Sequence, residues 1–450
     1  MKKKLLSVLL CGLMTASLLA GCGSAAPEEA PAQEAAPEDA AGEETPAAAE
    51  EAPASDEEAE VYMFISSPEY ADAINELIDA YKEVAPNVTI NYETTQNDYP
   101  TLLKAKLNSG EVPDIFSSTS GKEIDVYKEY SQDLTGEALT ETMSDAVKGV
   151  MASPEDGNGI YGIAIKGNYF GMIYNKAIFE EVGVEMPKTL DEVEAVCEKL
   201  QAAGYQPFTT GFAEWWVYKH VMQHFEDAAA ANAGMTTAEL IASFEKGESK
   251  ISDYPELYDN FFRFIDLAVK YGDSKPLETA LDGELSAFGT GKAAMIVGQG
   301  AWVEADLLAI DPELQIGFAG YPVTSDAKQS QVIGGADQAL RINKDSAQLQ
   351  ATLDFVNWWY TSDYGQAWFT DVAGVVPPVN STQESEFQVI QQGDALSASD
   401  GAATLAICYS TDSFHQVFGE TMQAYIAGDM TKDEACAQIE EQWAAIDGAE

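Results

Sequence analysis

Val61-Tyr62-Met63-Phe64-Ile65 and Val88-Thr89-Ile90-Asn91-Tyr92 bracket residues 70–84, where apolar side chains recur at helical spacing and stop before Pro86. Two short apolar runs around an amphipathic segment predict a strand–helix–strand opening. The same alternation continues downstream. Residues 102–107 are predicted helical, Gly110 breaks them, and Pro113-Asp114-Ile115-Phe116 reads as a further short buried strand running into a small polar loop at residues 117–121. Helical periodicity returns at 190–203, 215–231, 257–271, 349–361 and 414–426, which is the pattern of open α/β sheets. Residues 61–450 are ample for two lobes of ordinary size. There is no repeat at solenoid periods.

Upstream of Val61 the composition changes abruptly. Residues 23–60 are almost entirely Ala, Pro, Glu, Asp, Gly and Ser, with no aromatic residue and no apolar side chain larger than alanine. Nothing there can form a core, so the segment is expected to be an extended acidic tether reaching at most about 120 Å at the polyproline rise. Before it, Lys2-Lys3-Lys4 and the apolar residues 5–19 follow the grammar of a signal peptide and are too short to span a bilayer comfortably. The run closes on Leu19-Ala20-Gly21-Cys22, which resembles the lipobox of bacterial lipoproteins. The resemblance implies a signal at 1–21, cleavage before Cys22, acylation of its sulfur, and a tether at 22–60. Multiple acyl chains, at about 0.8 kcal/mol per buried methylene, make a durable anchor.

The chain holds 75 acidic and 24 basic residues, a formal net charge of −51. Such a field repels nucleic acid and other polyanions, so a neutral or cationic partner is expected. Beyond Cys11 in the signal and Cys22, three cysteines remain, Cys197, Cys408 and Cys436, whose number and spacing form neither a disulfide framework nor a zinc cluster. A Cys408–Cys436 bridge stays open, with buried free thiols the commoner outcome.

Several ordered motifs resemble one family. Tyr161-Gly162-Ile163-Ala164, Gly171-Met172-Ile173-Tyr174-Asn175-Lys176 and Pro187-Lys188-Thr189-Leu190-Asp191-Glu192 are similar to segments of the extracellular solute-binding proteins of ATP-driven sugar importers, of the maltose-binding type. Ser109-Gly110-Glu111-Val112-Pro113-Asp114, Gly291-Lys292-Ala293-Ala294-Met295 with Gly300-Ala301-Trp302, and Gly428-Asp429-Met430-Thr431-Lys432-Asp433-Glu434-Ala435 extend the likeness over nearly all of 61–450. The resemblance implies a two-lobe α/β fold of the periplasmic-binding-protein type II, with the ligand cleft between lobes. It places lobe 1 at 61–165 plus 325–343 and lobe 2 at 166–324 plus 344–450. It also implies a monomer on the outer face of the cell membrane, handing a carbohydrate to the permease subunits of an ABC transporter, with no cofactor and no catalysis.

A sugar presents apolar ring faces and a rim of hydroxyls, so its site needs flat aromatic surfaces beside acid and amide side chains. Trp302, after the turn Gly298-Gln299-Gly300, matches a tryptophan that often serves the family as a sugar platform. Glu214-Trp215-Trp216 opens a predicted helix; neighbours on a helix point about 100° apart, so one indole is expected in the cleft and the other behind it. Asn168 and Tyr169 lie at the first expected crossing. Gly335 lets the polar pair Asp337 and Gln338 approach a ligand, and Ser66, Ser67, Glu69, Ser118 and Ser120 follow strands, at the end where open sheets bind. Trp358-Trp359-Tyr360 reads as core.

Three rival functions also draw on features of the sequence. His220 and His224, at i and i+4, have a spacing that grips zinc, but the pair lacks the glutamate of a zinc-protease motif. A glycoside hydrolase needs a defined carboxylate pair, and the carboxylates are too numerous to single one out. A polyamine-like cation suits the acidity and the aromatics.

Overall fold

The computed structural model describes residues 57–157, 159–380 and 385–446. The expected signal at 1–21, the lipidation site Cys22 and residues 22–56 of the tether lie outside the described residues. The opening forms as expected. Strand Ala59–Ile65 pairs in parallel with Val88–Thr94, from Ala59 opposite Val88 to Ile65 opposite Thr94. Helix Ala71–Val84 joins them and buries Ile74, Leu77, Ile78 and Tyr81 on one face. It stops at Ala85 because a residue before proline is driven out of helical conformation.

The first sheet has five strands in the order Val88–Thr94, Ala59–Ile65, Ile115–Thr119, Gln338–Ile342, Ile163–Ala164. Gln338–Ile342 runs antiparallel to Ile115–Thr119, with Gln338 opposite Thr119 and Ile342 opposite Ile115. The chain therefore leaves this sheet and returns to it. Its core joins Val61, Met63, Ile65, Ile163, Leu340 and Ile342 to Trp359, Tyr360, Trp368 and Phe369. Helices Leu349–Thr361 and Asp363–Asp371 thus cover the first sheet, whereas the expected division had put everything from 344 onward in the second lobe. Tyr360 fixes the packing further, its hydroxyl donating to the Ala164 carbonyl at 2.7 Å.

The second sheet runs Ile316–Ala319, Met172–Asn175, Ala293–Ile296, Gln206–Thr209. Helix Val217–Ala233 is buried on nearly every face and packs Val221 and Phe225 with Phe208, Phe261, Phe264 and Phe418. A third sheet of Asn168–Phe170, Val332–Gly335 and Ala402–Ala403 lies beside it. Trp302 packs against the cores of all three sheets and stands at their junction. Cys197, Cys408 and Cys436 are free and buried, and burial pushes each thiol up to about 12.

Candidate functional site

Between the first and second sheets lies a cavity of about 310 Å³. Its first wall comes from Ser66, Pro68 and Glu69 after the first strand, Gln96, Asn97 and Pro100 after the second, and Asp337 with Gln338 at the start of the antiparallel strand Gln338–Ile342. The opposite wall carries Glu214, Trp215, Trp216, Lys219 and His220 from the start of helix Val217–Ala233, then Leu281, Asp282, Trp302, Asp306 and Asp412. Lys166 and Asn168 line it where the chain passes between sheets. Across its mouth, Asn97 Nδ2 donates to Glu214 Oε2 at 2.7 Å.

The aromatic floor is built by a glycine turn. Gly298 has φ +82°, its N–H donates to the Tyr321 hydroxyl at 2.6 Å, and its carbonyl accepts from His220 Nδ1 at 2.9 Å. At Gly300 a Cβ would stand 2.1 Å from both the Trp302 ring and the Tyr169 carbonyl, so only glycine lets the indole fold against this turn. Trp302 meets Phe170 and His220 edge-on, each at 5.3 Å, and His220 meets Trp216 at 5.4 Å. Burial, with Lys219 beside it, holds His220 neutral, well below the ordinary histidine range. Below the turn, Gln299 Nε2 donates to Glu284 at 2.7 Å, and burial raises that carboxyl well above its usual range.

Three buried polar atoms of lining residues have no hydrogen-bond partner in the protein: the indole nitrogens of Trp215 and Trp216 and Oδ1 of Asp337. These residues are 8%, 5% and 9% exposed, so each unmade bond carries a desolvation cost. Both tryptophans border the cavity, and both also pack into the second sheet's core.

Of the predicted site residues, Ser66, Glu69, Asn168, Glu214, Trp215, Trp216, Trp302, Asp337 and Gln338 are brought together here. Five are not. Ser67 is fully buried and spends its hydroxyl on Gln338 Oε1 at 3.1 Å. Ser118 lies within strand Ile115–Thr119 rather than in a loop and accepts from Arg341 at 3.1 Å, while Ser120 donates to the Ala336 carbonyl at 2.8 Å. Tyr169 and Gly335 belong to the third sheet; the tyrosine hydroxyl donates to Asp394 at 2.6 Å, and Gly335 packs against Leu405. Sequence reasoning missed Gln96, Asn97, Lys219, Asp282, Asp306 and Asp412, loop and helix-end residues with no motif around them. His220 and His224 do not form a zinc site: the His220 ring packs among aromatics, and His224 packs on Tyr321 at 4.5 Å. Among the described residues, no group of three or more His, Cys, Asp or Glu is arranged to hold a metal ion, and no helix is long and apolar enough to cross a membrane.

Comparison with known proteins gives this arrangement its context. The multiple sugar-binding protein of Streptococcus mutans is 24% identical over 345 residues, covering 75% of this chain and 79% of that one. The melibiose/raffinose/stachyose-binding protein MelE of Bacillus subtilis is 20% identical over 305 residues, 66% of this chain and 68% of its own length. Among solved structures, a chitin oligosaccharide binding protein superposes with TM-score 0.75 at 18% identity over 87% of this chain and all of its own. A sugar transporter from Bacillus licheniformis in complex with stachyose gives 0.72 at 16% identity over 86% of this chain and all of its own. Two sheets facing one cleft, in a chain that leaves the first and comes back to it, is the two-lobe α/β architecture these structures share. Residues 76–397 match the family described as bacterial extracellular solute-binding protein, and it is to that family that this chain belongs.

Proposed function

We propose that this protein captures an uncharged oligosaccharide in the cleft between its lobes and delivers it intact to the permease of an ABC importer. The observation that carries this reading is the pairing of an indole floor, Trp215, Trp216 and Trp302, with carboxylates and amides across the gap. Apolar sugar faces stack on the indoles, and ring hydroxyls donate to Glu69 and Asp337. Relatives named for several different sugars support the class. The protein releases what it binds and needs no catalytic group, cofactor or metal. Hinge closure brings the walls together. One lobe comprises residues 61–165, 325–343 and the helices Leu349–Thr361 and Asp363–Asp371; the other comprises 166–324 and the C-terminal helices. Cys22 carries the lipid that holds the protein, as a monomer, at the outer face of the membrane.

Thermal melting of the full chain with raffinose, stachyose, chitotriose, spermidine and Zn²⁺ tests the class, since a ligand that binds only the folded state raises the melting point. A rise with an oligosaccharide alone is expected; a rise with spermidine or Zn²⁺ alone contradicts the reading. Gly300→Ala is expected to displace the Trp302 ring and weaken saccharide binding roughly tenfold or more, measured by calorimetry.

A further inference from the structure

Two cations line the cleft, and each is already engaged. Lys166 is 4% exposed; its Nζ lies 3.1 Å from Glu69 Oε1, 3.5 Å from the Tyr70 hydroxyl and 4.5 Å from the centre of the Tyr70 ring. Asp337 adds its field to the same ammonium. Lys219 is 2.8 Å from Asp412 and sits over the Trp215 ring at 5.3 Å. Glu214, Asp282 and Asp306 complete an acidic lining, and burial together with the charges of Glu69 and Asp282 pushes the Asp306 carboxyl up. A carboxylate arriving on a ligand would lose its water and find repulsion with no ammonium to spare. Neutral hydroxyls find strong acceptors in the same groups.

We propose that the Lys166–Glu69 pair is the charge filter of this cleft: Glu69 occupies the ammonium that an acidic ligand would need, so the site takes uncharged saccharides and refuses those bearing a uronic acid. Lys166 acts as a positioning residue, holding Glu69 from the first wall beside the Trp302 ring, 5.9 Å from its Nζ. The inference rests on the carbohydrate reading above. It predicts a gain of binding, which damage to the fold cannot imitate.

The test is calorimetry at fixed ionic strength on the full chain, using whichever of raffinose, stachyose and chitotriose binds best and the same saccharide with a primary hydroxyl oxidised to carboxylate. The wild type is expected to prefer the neutral form by at least about a hundredfold. Glu69→Gln frees the ammonium, so affinity for the acidic form should rise at least about tenfold while affinity for the neutral form falls. Adding Lys166→Met to Glu69→Gln should erase that gain. Equal binding of both forms by the wild type overturns the filter, as does a Glu69→Gln protein that still binds the neutral sugar yet gains nothing for the acid. Should no neutral saccharide bind the wild type at all, the carbohydrate reading itself falls and takes the filter with it.

Discussion

Trp302→Ala is expected to weaken oligosaccharide binding by about 2 kcal/mol, roughly thirtyfold in Kd, with Trp302→Phe keeping most of the affinity. The indole stands at the junction of the three sheets' cores, held by the Gly298-Gln299-Gly300 turn and by edge-on contacts with Phe170 and His220. Removing it takes away a flat face and also loosens the wall that positions it. The phenylalanine variant separates these effects, because it keeps a ring in the slot and gives up area alone. Calorimetry on both variants, with melting curves to show that each is folded, decides the matter. An alanine variant that binds like the wild type would take Trp302 out of the site.

Glu226→Gln is expected to stabilise the protein by a few kcal/mol at pH 8 and to leave stability near pH 4 almost unchanged. Glu226 lies on helix Val217–Ala233, 6% exposed, beside a cavity of about 10 Å³ with Met222, Phe414, Phe418 and Trp443 in its wall. Burial alone raises its carboxyl from 4.5 to about 8. The folded protein therefore keeps this proton over a range where the unfolded chain has released it. Below about pH 4 both states hold the proton and the group contributes nothing to the pH dependence. Between about pH 4 and 8 the unfolded state is progressively favoured, and above pH 8 the cost is constant. Glutamine cannot ionise and escapes that cost. Urea unfolding of both proteins at pH 4, 6 and 8 should show the gap widening with pH; a gap that does not change with pH contradicts the assignment.

The opening strand–helix–strand was legible because periods of two and 3.6 residues are local properties of a chain. What the period does not carry is the partner. Strand Gln338–Ile342 pairs with Ile115–Thr119 across more than two hundred residues, and nothing near Ser117 or Ser118 announces it. Small hydroxyl residues read as loop, and the sheet overrides that preference by giving Ser118 the guanidinium of Arg341, a fully buried cation that also donates to the Glu123 and Ile124 carbonyls. Helix Leu349–Thr361 shows the same limit: its apolar stripe foretold that Trp359 is core, and only the packing says whose core. In the cleft, Trp302, Glu69 and Asp337 were readable because aromatic and acidic side chains followed turns and strand ends. Lys219 and Asp412 were not, since their meaning lies in a 2.8 Å contact between helices far apart in sequence.

Titration calorimetry of the full chain with raffinose, stachyose and chitotriose, followed by chromatography of the recovered sugar, bears on the central claim most directly. The account predicts saturable heat at one site per chain for at least one of these saccharides, and return of that saccharide uncleaved. No heat with any of them, or heat accompanied by hydrolysis products, would contradict it.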